Sequence, residues 1–179
     1  EANLHKYVSF VHRLQTDVAG VSSFGRAGSP WEFNLRDVFR WCGVLTHLHA
    51  SLSPGTPLDE EAAAVVLSET AHMLFVRRMR TAEDQDYVKR VFEEVFGHTC
   101  ESVANPPVWV HHDAHVDDLD SKPRFWIDIA LVRLSVKTAS RHVHHVSQGV
   151  CPLASQYTRT LADLAVCVDL AWPVLLVGE

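Results

Sequence analysis

Gly28-Ser-Pro-Trp-Glu-Phe-Asn-Leu-Arg-Asp-Val-Phe-Arg-Trp41 decides the fold, because it joins a loop, a capped helix start and two displaced positive charges. Asn34 is a good N-cap, since its side chain can accept from an early helical N–H. Asp37, three residues on, completes a capping-box-like pair. From there Leu35, Val38, Phe39, Cys42 and Leu45 recur at helical spacing, which predicts one stripe facing a core. Arg36 falls in the first turn, where the helix dipole disfavours a cation. Arg40 stands one turn later on the same face, a like-charge pair costing roughly a few tenths of a kcal/mol when unpaired. Two arginines so placed want an anion. It is either a carboxylate such as Glu32 or Asp37, which composition favours, or an external ligand.

Working outward, residues 3–18 place Leu4, Tyr7, Val8, Val11, Leu14 and Val18 on one helical face. Residues 19–33 form a loop that delivers Trp31 and Phe33 to a packing surface, and the arginine-bearing helix covers about 34–49. Ser53-Pro-Gly-Thr-Pro57 breaks the chain, with Thr56 and Pro57 opening a helix over 58–76. Arg77, Arg78 and Arg80 follow, read as a solvated cluster favoured by the helix dipole, with contact to an acidic neighbour as the alternative. Thr81 and Asp84 cap a further helix with Tyr87, Val88, Val91, Phe92 and Val95 inward, and Gly97 suits its C-terminal stop.

The pattern dissolves from 100 to 121, where Pro106-Pro107, the histidines and the aspartates read as an irregular connector. Residues 125–136 alternate weakly and predict one or two short strands. Residues 155–171 return to helix, with Leu161, Leu164, Ala165 and Val168 aligned. Pro173 stops it, and Val174-Leu-Leu-Val177 has the composition of a buried parallel strand. The expected fold is therefore mainly α: a small helical bundle over 1–98, a connector with short β strands over 99–152, and a terminal helix–strand unit over 153–179.

Of 179 residues, 47% are apolar and 21% charged, a globular composition, and the net charge of −6 argues against a generic nucleic-acid surface. Cys42, Cys100, Cys151 and Cys167 are scattered without a Cys-x-x-Cys pair, which predicts buried free thiols in a reducing compartment. The apolar stretch 161–178 contains Asp163, Asp169 and Pro173; each aspartate would cost about 2.5–3.5 kcal/mol at mid-membrane. No membrane span is expected. The absence of a secretory signal, and an opening at Glu1 within a helix, suggest an internal fragment.

Pro30-Trp-Glu-Phe-Asn-Leu-Arg-Asp37 followed by an apolar helix resembles the helical lid of the midasin family, dynein-related AAA+ proteins with tandem ATPase modules in one chain. Arg77-Arg-Met-Arg-Thr-Ala-Glu-Asp84, leading into Val91-Phe-Glu-Glu-Val-Phe-Gly97, is similar as well. So is Trp172-Pro-Val-Leu-Leu-Val-Gly-Glu179, which resembles the strand entering a Walker A loop. The resemblance covers about half of the chain. It implies a junction between modules: residues 1–98 a lid, residues 153–179 the opening helix and strand of the next module. Arg36 would be the sensor-2-like residue reaching nucleotide phosphates, of its own module or a neighbour's. Gly178 would be the first Walker A glycine.

A complete P-loop needs Gly-x-x-x-x-Gly-Lys-Ser/Thr, whose backbone N–H groups and lysine hold phosphates. The sequence supplies Gly178 and stops one residue later, so no catalytic site is complete in this chain and the fragment alone should be inactive. The resemblance implies ATP and Mg²⁺ as cofactors of the parent protein, with none expected for the isolated fragment. It implies as partners the neighbouring AAA+ modules and, for the parent, pre-ribosomal large-subunit particles with their assembly factors, in the nucleolus and nucleoplasm. Neither a membrane nor direct nucleic-acid binding is expected. A non-catalytic helical interaction module is one alternative. The other is a metal-binding domain built on His111, His112, Asp113, His115, Asp117, Asp118 and Asp120, with His142, His144 and His145. Their spacing matches no zinc pattern.

Overall fold

The computed structural model describes residues 2–20, 24–53, 55–102, 106, 108–112, 125–129, 131–136, 149–150 and 155–174. The chain is mainly helical and divides into two compact units, Glu1–Ser102 and Val103–Glu179.

The first unit holds α1 (Ala2–Gly20), α2 (Leu35–Leu52), α3 (Glu60–Leu74), a 3-10 turn (Val76–Arg78) and α4 (Ala82–Phe96). Trp41 sits at its centre, fully buried, with the rings of Tyr7, Phe10, Phe75 and Phe96 at centroid distances of 5.0, 5.5, 5.1 and 5.6 Å. Its indole N–H donates to Thr70 Oγ1 at 2.8 Å, so the one polar atom of the ring is satisfied inside the core. This indole sets the rotation of α2. The buried stripe is Asp37, Val38, Trp41, Val44 and Leu48, not the expected 35/38/39/42/45 set. Cys42 and Leu45 lie at its margin, and Leu35 and Phe39 face outward. Fully burying the indole removes more apolar area than burying either of those side chains, so the helix turns to it.

On α1 the same correction applies to a smaller degree. Phe10, Val11 and Leu14 are buried and Tyr7 and Val18 partly so, while Leu4 and Val8 are exposed. Helix α3 begins at Asp59, whose Oδ1 accepts from Ala62 N at 2.7 Å, and not at Thr56-Pro57. Thr81 caps α4 as the sequence predicts, accepting from Asp84 N at 3.1 Å. Asp84 does not return the bond; it is buried and accepts from Gly25 N at 2.8 Å, tying the 24–33 loop to α4. Gly97 takes φ 85° at the C-cap, and Gly28 (φ 89°) lies where an added Cβ would stand 2.7 Å from Arg80 Nε.

The second unit contains β1 (Val108–His112), β2 (Phe125–Ile129), β3 (Val132–Val136), β4 (Gly149–Val150) and α5 (Ser155–Asp169). The strands form one antiparallel sheet in the order β3-β2-β1-β4, and α5 packs on β2 and β3. The pair expected over 125–136 is present. The stretch read as irregular contains a strand, β1, paired on both sides, so His111 and His112 are strand residues in register with Trp126 and Phe125. Its pairing is non-local, and local pattern does not carry it. Among the described residues of α5, Thr158, Ala162, Ala165 and Val166 are buried, and Val168, expected inward, is exposed. The helix ends at Asp169, before Pro173; Val174, where the expected strand would start, is exposed and not in a strand, and residues 175–178, with Gly178, lie outside the described residues.

Candidate functional site

The arginine turn of α2 is built as a rigid corner. Asn34 Oδ1 accepts from Arg36 N at 2.9 Å, and Asp37 Oδ2 accepts from Asn34 N at 3.0 Å, a complete capping box. Asp37 is buried, and its other oxygen accepts from Arg78 Nη1 at 3.2 Å. Arg78 Nη2 donates to the Glu32 carbonyl at 3.1 Å, and the guanidinium lies 5.0 Å over the Phe33 ring. Phe33 is itself buried, and Phe33 N donates to Gln15 Oε1 at 2.7 Å. One arginine thus fastens the entry strand and first turn of α2 to the chain after α3. The arginine cluster expected to be solvated is therefore structural at Arg78 and Arg77, the latter donating to Ser102 Oγ at 3.1 Å. Charge spacing could not reveal this, because Asp37 and Arg78 lie far apart in sequence.

Asp37 being taken by Arg78 leaves Arg36 outward. Its side chain is 64% exposed and approaches Glu32, itself 77% exposed, at only 3.8 Å. A solvated pair with that geometry contributes little. Arg40 is exposed and has no partner among the described residues. The corner thus presents two guanidiniums on a helix turn tied down by the capping box and Arg78. Arrangement and charge suit an anion with several oxygens, because a guanidinium offers a planar fork of donors. Gly178, the other expected site residue, lies outside the described residues.

A second polar cluster fixes the end of the unit. Ser68 donates to the Glu101 carbonyl, Ser102 Oγ donates to Glu69 Oε2 at 3.2 Å, and His72 Nε2 meets the Cys100 carbonyl at 2.9 Å. Burial pushes the His72 imidazole below its ordinary value, with the Cys100 carbonyl acting the other way. Burial pushes the Cys100 thiol up to about 12 and raises Cys42 and Cys167 too, so none of these three is an activated nucleophile. Cys151 lies outside the described residues.

Of the histidine-rich segment only His111 and His112 are described, and among the described residues no group of three or more His, Cys, Asp or Glu could hold a metal. No described helix is long and apolar enough to cross a membrane.

The family described as Midasin AAA lid domain matches residues 1–99, which hold α1 to α4 and the corner. A Dictyostelium discoideum protein named Midasin is 25% identical over 183 residues, covering 98% of this chain and 3% of that relative. A Giardia intestinalis protein of the same name is 40% identical over 81 residues, covering 45% of this chain and 2% of the relative. The chain therefore spans only a small part of either. No solved structure matches it significantly. With the bundle, its capping box and the family match coinciding over the same residues, the chain belongs to the midasin AAA lid domain family.

Proposed function

We propose that this chain is an inter-module segment of a midasin-like AAA+ ATPase, whose lid holds Arg36 against the phosphates of a bound nucleotide. The parent protein would hydrolyse ATP with Mg²⁺ and use the resulting motion to remove assembly factors from pre-ribosomal large-subunit particles in the nucleus. The observation that carries this reading is the exposed, weakly paired Arg36 on a turn locked by Asp37 and Arg78.

The fit to a nucleotide is partial and specific. An outward guanidinium suits a phosphate, and nothing in the described fold competes for it beyond Glu32 at 3.8 Å. The chain carries no Gly-x-x-x-x-Gly-Lys-Ser/Thr motif, so the lysine and the magnesium-binding hydroxyl must come from elsewhere in the parent. Bound ATP supplies the phosphoryl group that the parent transfers to water. This chain's own part is electrostatic. Arg36 holds charge near the phosphates, and Arg78, through Asp37, keeps Arg36 from moving independently of the lid. A change of phosphate charge is then felt as a torque on the whole bundle instead of a side-chain rearrangement.

The test is ATP hydrolysis by the purified parent protein, with and without pre-ribosomal particles. Hydrolysis raised by particles and accompanied by release of bound factors is expected. A parent that binds the particles and hydrolyses no ATP would overturn the reading and leave a helical interaction module.

A further inference from the structure

Residues 99–102 leave the bundle after the Gly97 cap in neither helix nor strand. Among the described residues, no backbone–backbone hydrogen bond ties them to the helices. Side chains of α3 and of the turn after it hold them instead. His72 Nε2 meets the Cys100 carbonyl at 2.9 Å, and Ser68 donates to the Glu101 carbonyl. Ser102 Oγ donates to Glu69 Oε2 at 3.2 Å and accepts from Arg77 Nη2 at 3.1 Å. Ser68 and Glu69 are buried, so these anchors belong to the interior of the lid. Ser102 is also the last residue of the first unit, and the second begins at Val103.

Apolar burial holds this segment far less than it holds the helices. Cys100 is buried, but Thr99 and Glu101 are exposed and Ser102 is half-buried. By contrast α1 buries Phe10, Val11 and Leu14, and α4 buries Val88, Val91 and Phe92. Detaching 99–102 forfeits four polar contacts and the burial of one small side chain. It leaves the rings around Trp41 in place. A segment held in this way opens at a lower free energy than the core.

We propose that residues 99–102 are a strap that unhooks from α3 as a unit while the four-helix bundle stays folded. Closed, the strap makes the last residues of the lid part of α3, and the chain reaches residue 103 without slack. Open, it pays out four residues, about 13 Å of extended chain. Tension applied along the chain beyond residue 103 loads Ser102 and its two side-chain partners first. The strap thereby sets whether a displacement of the bundle is passed along the chain or absorbed. It uses neither Arg36 nor a nucleotide and stands independently of the nucleotide reading.

Alkylation of the 179-residue chain by iodoacetamide, read at Cys100 by peptide mass spectrometry, tests it. Well below the urea unfolding midpoint, Cys100 should react at a rate that barely changes with urea. Ser102→Ala, which takes a donor from the buried Glu69, should speed that reaction about tenfold. Asn34→Ala weakens the cap of α2, so it should lower the unfolding midpoint and leave the Cys100 rate in the absence of urea unchanged. Unchanged far-ultraviolet circular dichroism checks that each variant is folded. A Cys100 rate that rises with urea as steeply as global unfolding would overturn the proposal. So would a rate untouched by Ser102→Ala, or one that Asn34→Ala speeds in step with global unfolding.

Discussion

Asp37 holds two partners with two oxygens, the Asn34 backbone N–H and the Arg78 guanidinium, while itself buried. Replacing it by alanine removes a cap bond and leaves Arg78 facing a vacated site, so unfolding free energy should fall by about 2–3 kcal/mol in urea titration. Asn34→Ala removes only the cap acceptor and should cost about 1 kcal/mol in the same assay. Trp41→Ala, which empties the centre of the aromatic cluster and orphans the Thr70 contact, should cost about 3–5 kcal/mol. His72 gives a pH signature. Its folded-state value lies below the unfolded one, so the unfolded chain takes up the proton first as pH falls. The stability it protects is complete above the unfolded value and is lost as pH drops through the folded one. The urea midpoint should therefore fall between pH 7 and pH 5, and His72→Gln should flatten that slope.

At the level of elements, those with local signals were legible and those needing distant partners were not. The Asn34–Asp37 box, the Thr81 cap and the Gly97 stop each depend on a few neighbouring residues, and each stands where the sequence puts it. The rotation of α2 was missed because Leu35, Phe39 and Leu45 make as good a stripe as Trp41, Val44 and Leu48 on pattern alone. Only the ring cluster supplied by α1, α4 and the end of α3 decides between them. β1 was missed for the same reason, since its pairing comes from β2 and β4. Arg78 was misread because its partner, Asp37, is remote in sequence, whereas Arg36 was legible as a cation out of place on a helix dipole. Arg78→Ala tests the element-level account: the two turns it joins should loosen together. Amide exchange should quicken over 31–38 and 76–80 while α4 stays protected. Exchange confined to 76–80 would show the corner to be held by the capping box alone.

For the whole molecule, the lid joins a rigid turn to an outward charge; under the proposed function, a nucleotide's phosphates and the orientation of the bundle would become one coordinate. That coupling separates two arginines that composition treats alike. Arg78 joins Asp37 and the Glu32 carbonyl within the lid, whereas in the proposed function Arg36 would leave its stability untouched and act only when a phosphate is present. The direct measurement is steady-state ATP turnover by the parent protein carrying Arg36→Ala or Arg36→Lys, with the melting of the lid followed in the same samples. Alanine should lower turnover about tenfold or more, lysine should fall between alanine and wild type, and melting should not change. Turnover of the alanine variant equal to wild type would contradict the account and leave Arg36 a surface partner of Glu32.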